Sequence, residues 1–311
     1  MNYDIDAVKR ELLRCLAPQS VAENRTLADY TTMKVGGPAA LFVSPAGTSE
    51  LFDALAVAWH SDLPHIVIGN GSNIIFHDEG YDGIVIRLGA GIDHVLIEGT
   101  TVFSEAGALL ADVAKKACDA GLAGMEFASG IPGSVGGAVF MNAGAYGGDM
   151  AGIVHTVSSL SSGGIAHDRR APELALGYRT SVFQQNGETI YGVKFVLKEG
   201  CRDEIQKTVG DYAARRASKQ PQGVPSSGSF FKRPEGHFAG QLIEEARLKG
   251  LSCGGARVSD LHAGFIINAD AATAQDIVDL MHIVQETVFE RSGVLLEPEV
   301  RLLNRDGTPR L

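Results

Sequence analysis

Apolar positions recur with helical spacing in six stretches of the chain and with the shorter period of strands between them. Ile5, Val8, Leu12, Leu13 and Leu16 line one face of a helix over 4–16. Residues 48–60 give a second helix, with Thr48 or Ser49 as its cap and Glu50 in its first turn. Further helices are predicted over 108–120 (ending near Gly121), 203–219, 239–248 and 273–291. Short β-rich runs predict strands at 40–43, 65–68, 74–76, 83–88, 94–98, 101–104, 153–160, 190–198, 264–267 and 294–302. Near residue 200 the short strands give way to a charged helix and then to a turn-rich segment over 220–234. The pattern therefore predicts two domains, 1–199 and 200–311, with no internal repeat.

Composition narrows the class. The net charge is −10, and no lysine-arginine block is long enough for a nucleic-acid arm. A phosphate-bearing ligand would need a local basic pocket. Cys15, Cys118, Cys201 and Cys253 lie far apart with no C-x-x-C pair, so no metal site is expected. The acidic start and the lack of a membrane-length apolar run predict a reduced, cytoplasmic protein with no membrane partner.

Two glycine-rich segments carry the candidate chemistry. Residues 130–147 hold Gly130, Gly133, Gly136 and Gly137 with Ser134 among them, carry no charge, and interleave Ile131, Val135, Val139, Phe140 and Met141. The run is too apolar for a flexible linker, and backbone N–H groups free of side chains can line a pyrophosphate. The glycine spacing fits neither the dinucleotide fingerprint G-x-G-x-x-G nor the phosphate loop G-x-x-x-x-G-K-[ST]. A tightly packed structural turn explains the segment equally well. Residues 69–73, Gly69-Asn70-Gly71-Ser72-Asn73, sit between two predicted strands and expose several N–H groups, although an ordinary hairpin turn accounts for them too.

Taken in order, the segments 32–38, 69–73, 130–147, 178–183, 228–234, 239–250 with Gly254-Gly255-Ala256, 259–268 and 293–301 resemble the UDP-N-acetylenolpyruvoylglucosamine reductase family, in its compact subclass. The resemblance implies an α+β chain, with a vanillyl-alcohol-oxidase-type FAD-binding domain followed by a smaller α/β substrate-binding domain. It also implies non-covalent FAD, NADPH as co-substrate, and a nucleotide-sugar substrate whose enolpyruvyl ether is reduced in peptidoglycan precursor synthesis. Gly69, Asn70, Gly71, Ser72 and Asn73, with Gly130, Gly133, Ser134, Gly136 and Gly137, are then expected to hold the cofactor through the backbone. Arg233 stands where many members carry Asn, and Arg247 where the common pattern has Gly.

The reaction sets the remaining expectations. Hydride from reduced FAD reaches the alkene, charge develops on the enolate of the carboxyl group, and the second carbon takes a proton. Arg179 suits the enolate, because a guanidinium is always charged and grips a carboxylate bidentately. Glu299 matches the family's acid and can donate to the same charge, while Glu297 reads as an exposed strand glutamate. Ser229 is expected to donate the proton, although from composition alone it is a turn serine. Tyr178 is expected to support Arg179, and Lys232 to reach the substrate diphosphate. A flavin oxidase of alcohols or hydroxy acids on the same fold, or a non-catalytic nucleotide-sugar binder, are the competing readings.

Overall fold

The computed structural model describes residues 4–310. The chain packs as two compact units that interleave in sequence: Met1–Glu23, Leu41–Asn70 and Ile84–Arg215 form one, and Asn24–Ala40, Gly71–Gly83 and Arg216–Leu311 the other. A single cut at 199/200 is therefore not how the chain divides. Two early segments belong with the C-terminal third because their apolar residues are buried there. Met33, Val35 and Ile75 share a core with Phe230, Phe231, Ile277, Met281 and Leu302.

In the first unit an antiparallel five-stranded sheet runs in the order Ala166–Arg170, Val154–Leu160, Thr189–Val196, Thr101–Glu105, Val95–Glu98. His65–Ile68 pairs in parallel with residues 84–87. The helices Ile5–Cys15 and Thr48–His60 bury Leu12, Leu51 and Leu55 in the same core as Val102, Val157 and Phe195. The second helix is not capped by Thr48 or Ser49. Gly47 stands at its N-cap, and the Glu50 carboxylate accepts from the amides of Ala46 (2.8 Å) and Ala17 (3.0 Å) and the hydroxyl of Ser20 (2.7 Å). Those bonds, led by that from Ala46, hold Glu50 below the usual carboxylate range.

In the second unit the 19-residue helix Ala274–Ser292 buries Ile277, Met281, Val284 and Val288. Thr273 and Asp276 form a capping box, and Asp78 accepts from the amides of Ala274 (2.6 Å) and Gln275 (3.0 Å). Gly293, at φ 72°, ends the helix in the left-handed conformation. Ser252–Cys253, Ala256–Val258 and Ile266–Asn268 make a small antiparallel sheet. Of the strand expected over 294–302 only Arg301–Leu303 forms, and it pairs in parallel with Ile74–Phe76. His65–Ile68 and Ile74–Phe76 thus pair with different partners, so residues 69–73 are not a hairpin turn. Among the described residues no helix is long and apolar enough to cross a membrane, and no acidic, histidine or cysteine cluster could hold a metal ion.

Candidate active site

In the first unit the two glycine segments meet. Asn70 Nδ2 donates to the carbonyl of Pro132. A Cβ on Gly69 would stand 1.9 Å from Ser134 Oγ and 2.7 Å from Ser134 Cβ, so only glycine permits this approach. Residues 134–140 hold a feature the pattern did not reveal, the one-and-a-half-turn helix Val135–Phe140 with Ser134 as its N-cap. Its first amides are engaged inside the protein: Val135 donates to Ala108, Gly136 to Ala106 and Gly137 to Ser134 Oγ. Gly136 and Gly137 consequently have no N–H to offer a phosphate; a Cβ on Gly136 would stand 2.9 Å from Ala106 Cβ, so this glycine lets the helix approach Ala106. Among the described residues the amides of Asn70, Gly133 and Ser134 meet no protein acceptor. Beside them opens a cleft of about 440 Å³ that includes Asn70 and Leu109 and sets Arg87, Lys115 and Lys116 against Asp93 and Asp112. Lys115 is also paired with Asp119 (2.6 Å), so cations and carboxylates nearly balance here, and neither motif nor spacing announced the three cations.

The predicted arginine sits in the same unit. Gly177 and Thr180 exchange backbone hydrogen bonds (3.2 and 3.3 Å), making Tyr178 and Arg179 the tip of a two-residue turn. Arg179 lies in the left-handed region at φ 55°. Its guanidinium carbon is 5.2 Å from the centre of the exposed Tyr178 ring, a cation–π contact. The turn is fastened to the end of helix Val135–Phe140. Ser181 Oγ donates to the carbonyl of Phe140 (2.7 Å), and Gln184 Nε2 to those of Phe140 (2.8 Å) and Arg179 (3.0 Å). Asn142, 4% exposed, donates to the carbonyl of Gly177 (2.9 Å) and accepts from Ala151 (3.0 Å). Asn142 and Gln184 were not singled out by the sequence, since a polar residue after a glycine run gives no sign of its partner.

The second unit holds the other half of the predicted set. Gly71, at φ 61°, has the carbonyl of Tyr30 where a Cβ would fall, 2.0 Å away, and the amides of Gly71 and Ser72 meet no acceptor among the described residues. Asn73 has structural work: its Nδ2 donates to the carbonyl of Glu299 (3.1 Å), and its own carbonyl accepts from Arg301 (3.1 Å). Ser229 is exposed and follows Gly228, at φ 75°. The next residues run antiparallel to 297–299, with Glu299 donating to Phe230 and Lys232 to Glu297 through their amides. The structure thus brings Ser229, Lys232, Glu299 and Asn73 onto adjoining backbone. Lys232 Nζ stands 3.2 Å from Glu297 Oε2. That pair is exposed and worth little, so it does not withhold Lys232 from a diphosphate. Phe230 also donates to Gly264, whose own amide donates to His262 Nδ1 (3.0 Å). Burial pushes His262 below the usual imidazole range, and it supports this loop as a neutral acceptor. Ser227 Oγ is buried and meets no hydrogen-bond partner among the described residues.

Unpartnered amides at both glycine segments, with a cleft that holds Arg87 and Lys116 beside one of them, fit a diphosphate-bearing cofactor. The comparisons agree. Residues 39–162 match the family profile of an FAD binding domain, and residues 220–303 that of the UDP-N-acetylenolpyruvoylglucosamine reductase C-terminal domain. The UDP-N-acetylenolpyruvoylglucosamine reductase of Lactiplantibacillus plantarum is 46% identical over 297 residues, covering 96% of this chain and 98% of its own. That of Alkaliphilus oremlandii is 42% identical over the same length and coverage. The crystal structure of the reductase from Thermus caldophilus superposes with a TM-score of 0.80 at 38% identity, over 90% of this chain and 98% of its own. The chain belongs to the UDP-N-acetylenolpyruvoylglucosamine reductase family.

Proposed function

We propose that the protein reduces UDP-N-acetylenolpyruvoylglucosamine to UDP-N-acetylmuramate with NADPH and FAD, a step of peptidoglycan precursor synthesis. The observation that carries this is family membership over nearly the whole chain, spanning both the FAD binding domain and the C-terminal domain. Bound FAD supplies the route by which reducing equivalents from NADPH reach the enolpyruvyl group. Gly69, Asn70, Gly71, Ser72, Asn73, Gly130, Gly133 and Ser134 would hold it, with Gly136 and Gly137 in the short helix that follows. The amides of Asn70, Gly71, Ser72, Gly133 and Ser134, which meet no protein acceptor among the described residues, would be the donors to its diphosphate.

The residues divide the chemistry. Arg179 and Glu299 stabilise the charge that develops on the substrate carboxyl group as the double bond is reduced. Two donors act on it because a dianionic enolate needs more than one. Ser229 delivers the proton to the carbon that bears the carboxyl group. A hydroxyl is a weak acid in water, but the enolate carbon is basic enough to take its proton. Tyr178 supports the guanidinium through its ring, and Lys232 meets the diphosphate of the nucleotide sugar. The half-reactions separate the proposal from other flavin chemistry. NADPH should bleach the bound flavin, and the enolpyruvyl nucleotide sugar, without oxygen, should restore its colour. Restoration by an alcohol-derived carbonyl acceptor but not by the enolpyruvyl nucleotide sugar would overturn the reading.

A further inference from the structure

Arg179 occupies a backbone conformation that an L-residue adopts at a cost. A side chain in the left-handed region is unfavourable by about 1–2 kcal/mol, and such strain persists only where the surroundings over-determine it. Tyr178 is not left-handed among the described residues, so the strain of this turn falls on the arginine. The surroundings are specific. Gln184 Nε2 grips the carbonyl of Arg179 itself, and Asn142 Nδ2 grips that of Gly177, the first residue of the turn. Asn142 is also left-handed, at φ 41°, and is locked by Ala151 and by Asp149 Oδ2 (3.5 Å). Gln184 bonds at the same time to Phe140, the last residue of the short helix that Ser134 begins. One rigid piece therefore links the glycine segment at its start to the arginine turn at its end.

We propose that Asn142 and Gln184 are positioning residues for the Arg179 guanidinium, holding a strained turn so that the arginine keeps one placement through turnover. The proposal rests on the reading of Arg179 as the enolate-stabilising group. Neither residue touches substrate in this account; both act through the backbone of residues 177–179. A backbone left free to relax would let the arginine leave the left-handed region, and its side chain would swing with it.

The test uses the FAD-loaded enzyme and Gln184→Met, a change at an exposed position that removes both donor bonds at similar length. FAD per chain and melting temperature are recorded beside stopped-flow rates of flavin reduction by NADPH and of flavin reoxidation by the enolpyruvyl substrate. FAD content and the NADPH half-reaction should stay within about 2-fold of wild type, while reoxidation falls roughly 10-fold, because small misplacements of an acting group cost up to about 10² in rate. In an Arg179→Gln background the same change should add less than about 2-fold, since residues acting as a unit are not additive. Asn142→Asp removes the other donor at constant shape and should act in the same direction in any preparation that retains FAD. An equal loss in both half-reactions, or an undiminished loss in the Arg179→Gln background, overturns the proposal. If Arg179→Gln alone leaves reoxidation at the wild-type rate, the reading of the arginine itself fails, and positioning fails with it.

Discussion

Gly69→Ala tests the apposition of the two glycine segments. The added Cβ would lie 1.9 Å from Ser134 Oγ and 2.7 Å from Ser134 Cβ. Turning the serine about χ1 moves its oxygen away but leaves its Cβ in place. It also removes the acceptor of Gly137 N–H, the N-cap bond of helix Val135–Phe140. Overpacking costs about 1–3 kcal/mol, and a lost N-cap about 1 kcal/mol. The sum is a destabilisation of about 2–4 kcal/mol. Ser134→Gly alone should cost only a few tenths, about what glycine costs at an N-cap. It also vacates the space that the new methyl group needs, so the double variant should recover most of the loss, with a coupling of about 2 kcal/mol. Urea unfolding of the four proteins, with FAD retained per chain after gel filtration, reads both effects. Gly69→Ala should shed FAD and the double variant should regain it. A Gly69→Ala cost below about 0.5 kcal/mol, or strict additivity in the cycle, would refute the close approach.

Other consequences are equally direct. Ser229→Ala should leave flavin reduction by NADPH near wild type and lower turnover with the enolpyruvyl substrate by roughly 10²-fold; equal loss in both would make Ser229 a shaping residue and not a proton donor. Arg179→Gln and Glu299→Gln should each lower turnover strongly while FAD stays bound, and the double mutant should be much less impaired than the product of the single effects; additivity would give the two residues separate roles. Glu188, 9% exposed, accepts from Arg169 Nε (2.8 Å) and Ser159 Oγ (2.6 Å), and these bonds, Arg169 first, draw its carboxyl from 4.5 to about 2. A depressed folded value means stability that is present above the unfolded value and is lost as pH falls through about 2. Its ceiling is about 3 kcal/mol by linkage. Glu188→Gln should therefore flatten the acid decline of the melting temperature between pH 4.5 and about 2, and parallel profiles for the two proteins would contradict this.

Helices were the legible part of this fold. Those over 5–15, 48–60, 110–119 and 274–292 follow apolar periodicity, because each buries one stripe against a core. The strand Val21–Thr26 went unread because it is mostly exposed and polar, and Ala166–Arg170 because it is a charged edge. Helix Val135–Phe140 was hidden by its own glycines; its first turn is held by Ala106, Ala108 and Ser134, which propensity does not register. The interleaving of the units was hidden as well, since Ile74–Phe76 takes its ladder from the far end of the chain. At the site, the glycine segments were visible as composition. The competing hairpin explanation for 69–73 is excluded by long-range pairing, since the flanking strands take other partners. Arg179, Ser229 and Glu299 are proposed from family resemblance alone, since each is an ordinary turn or strand residue by itself. Asn142 and Gln184 owe their interest to bonds with distant carbonyls, which no local pattern encodes.

The central claim is a reduction of the enolpyruvyl group, and the mass of the product tests it most directly. The FAD-loaded protein, NADPH and UDP-N-acetylenolpyruvoylglucosamine are incubated without oxygen, and the nucleotide sugar is weighed by mass spectrometry against the NADPH consumed. The account predicts a product heavier by one dihydrogen, formed in equimolar amount to the NADPH lost, and carrying solvent deuterium on the carbon that bears the carboxyl group when the reaction is run in heavy water. Substrate recovered unchanged, or NADPH consumed without a reduced nucleotide sugar, would contradict it.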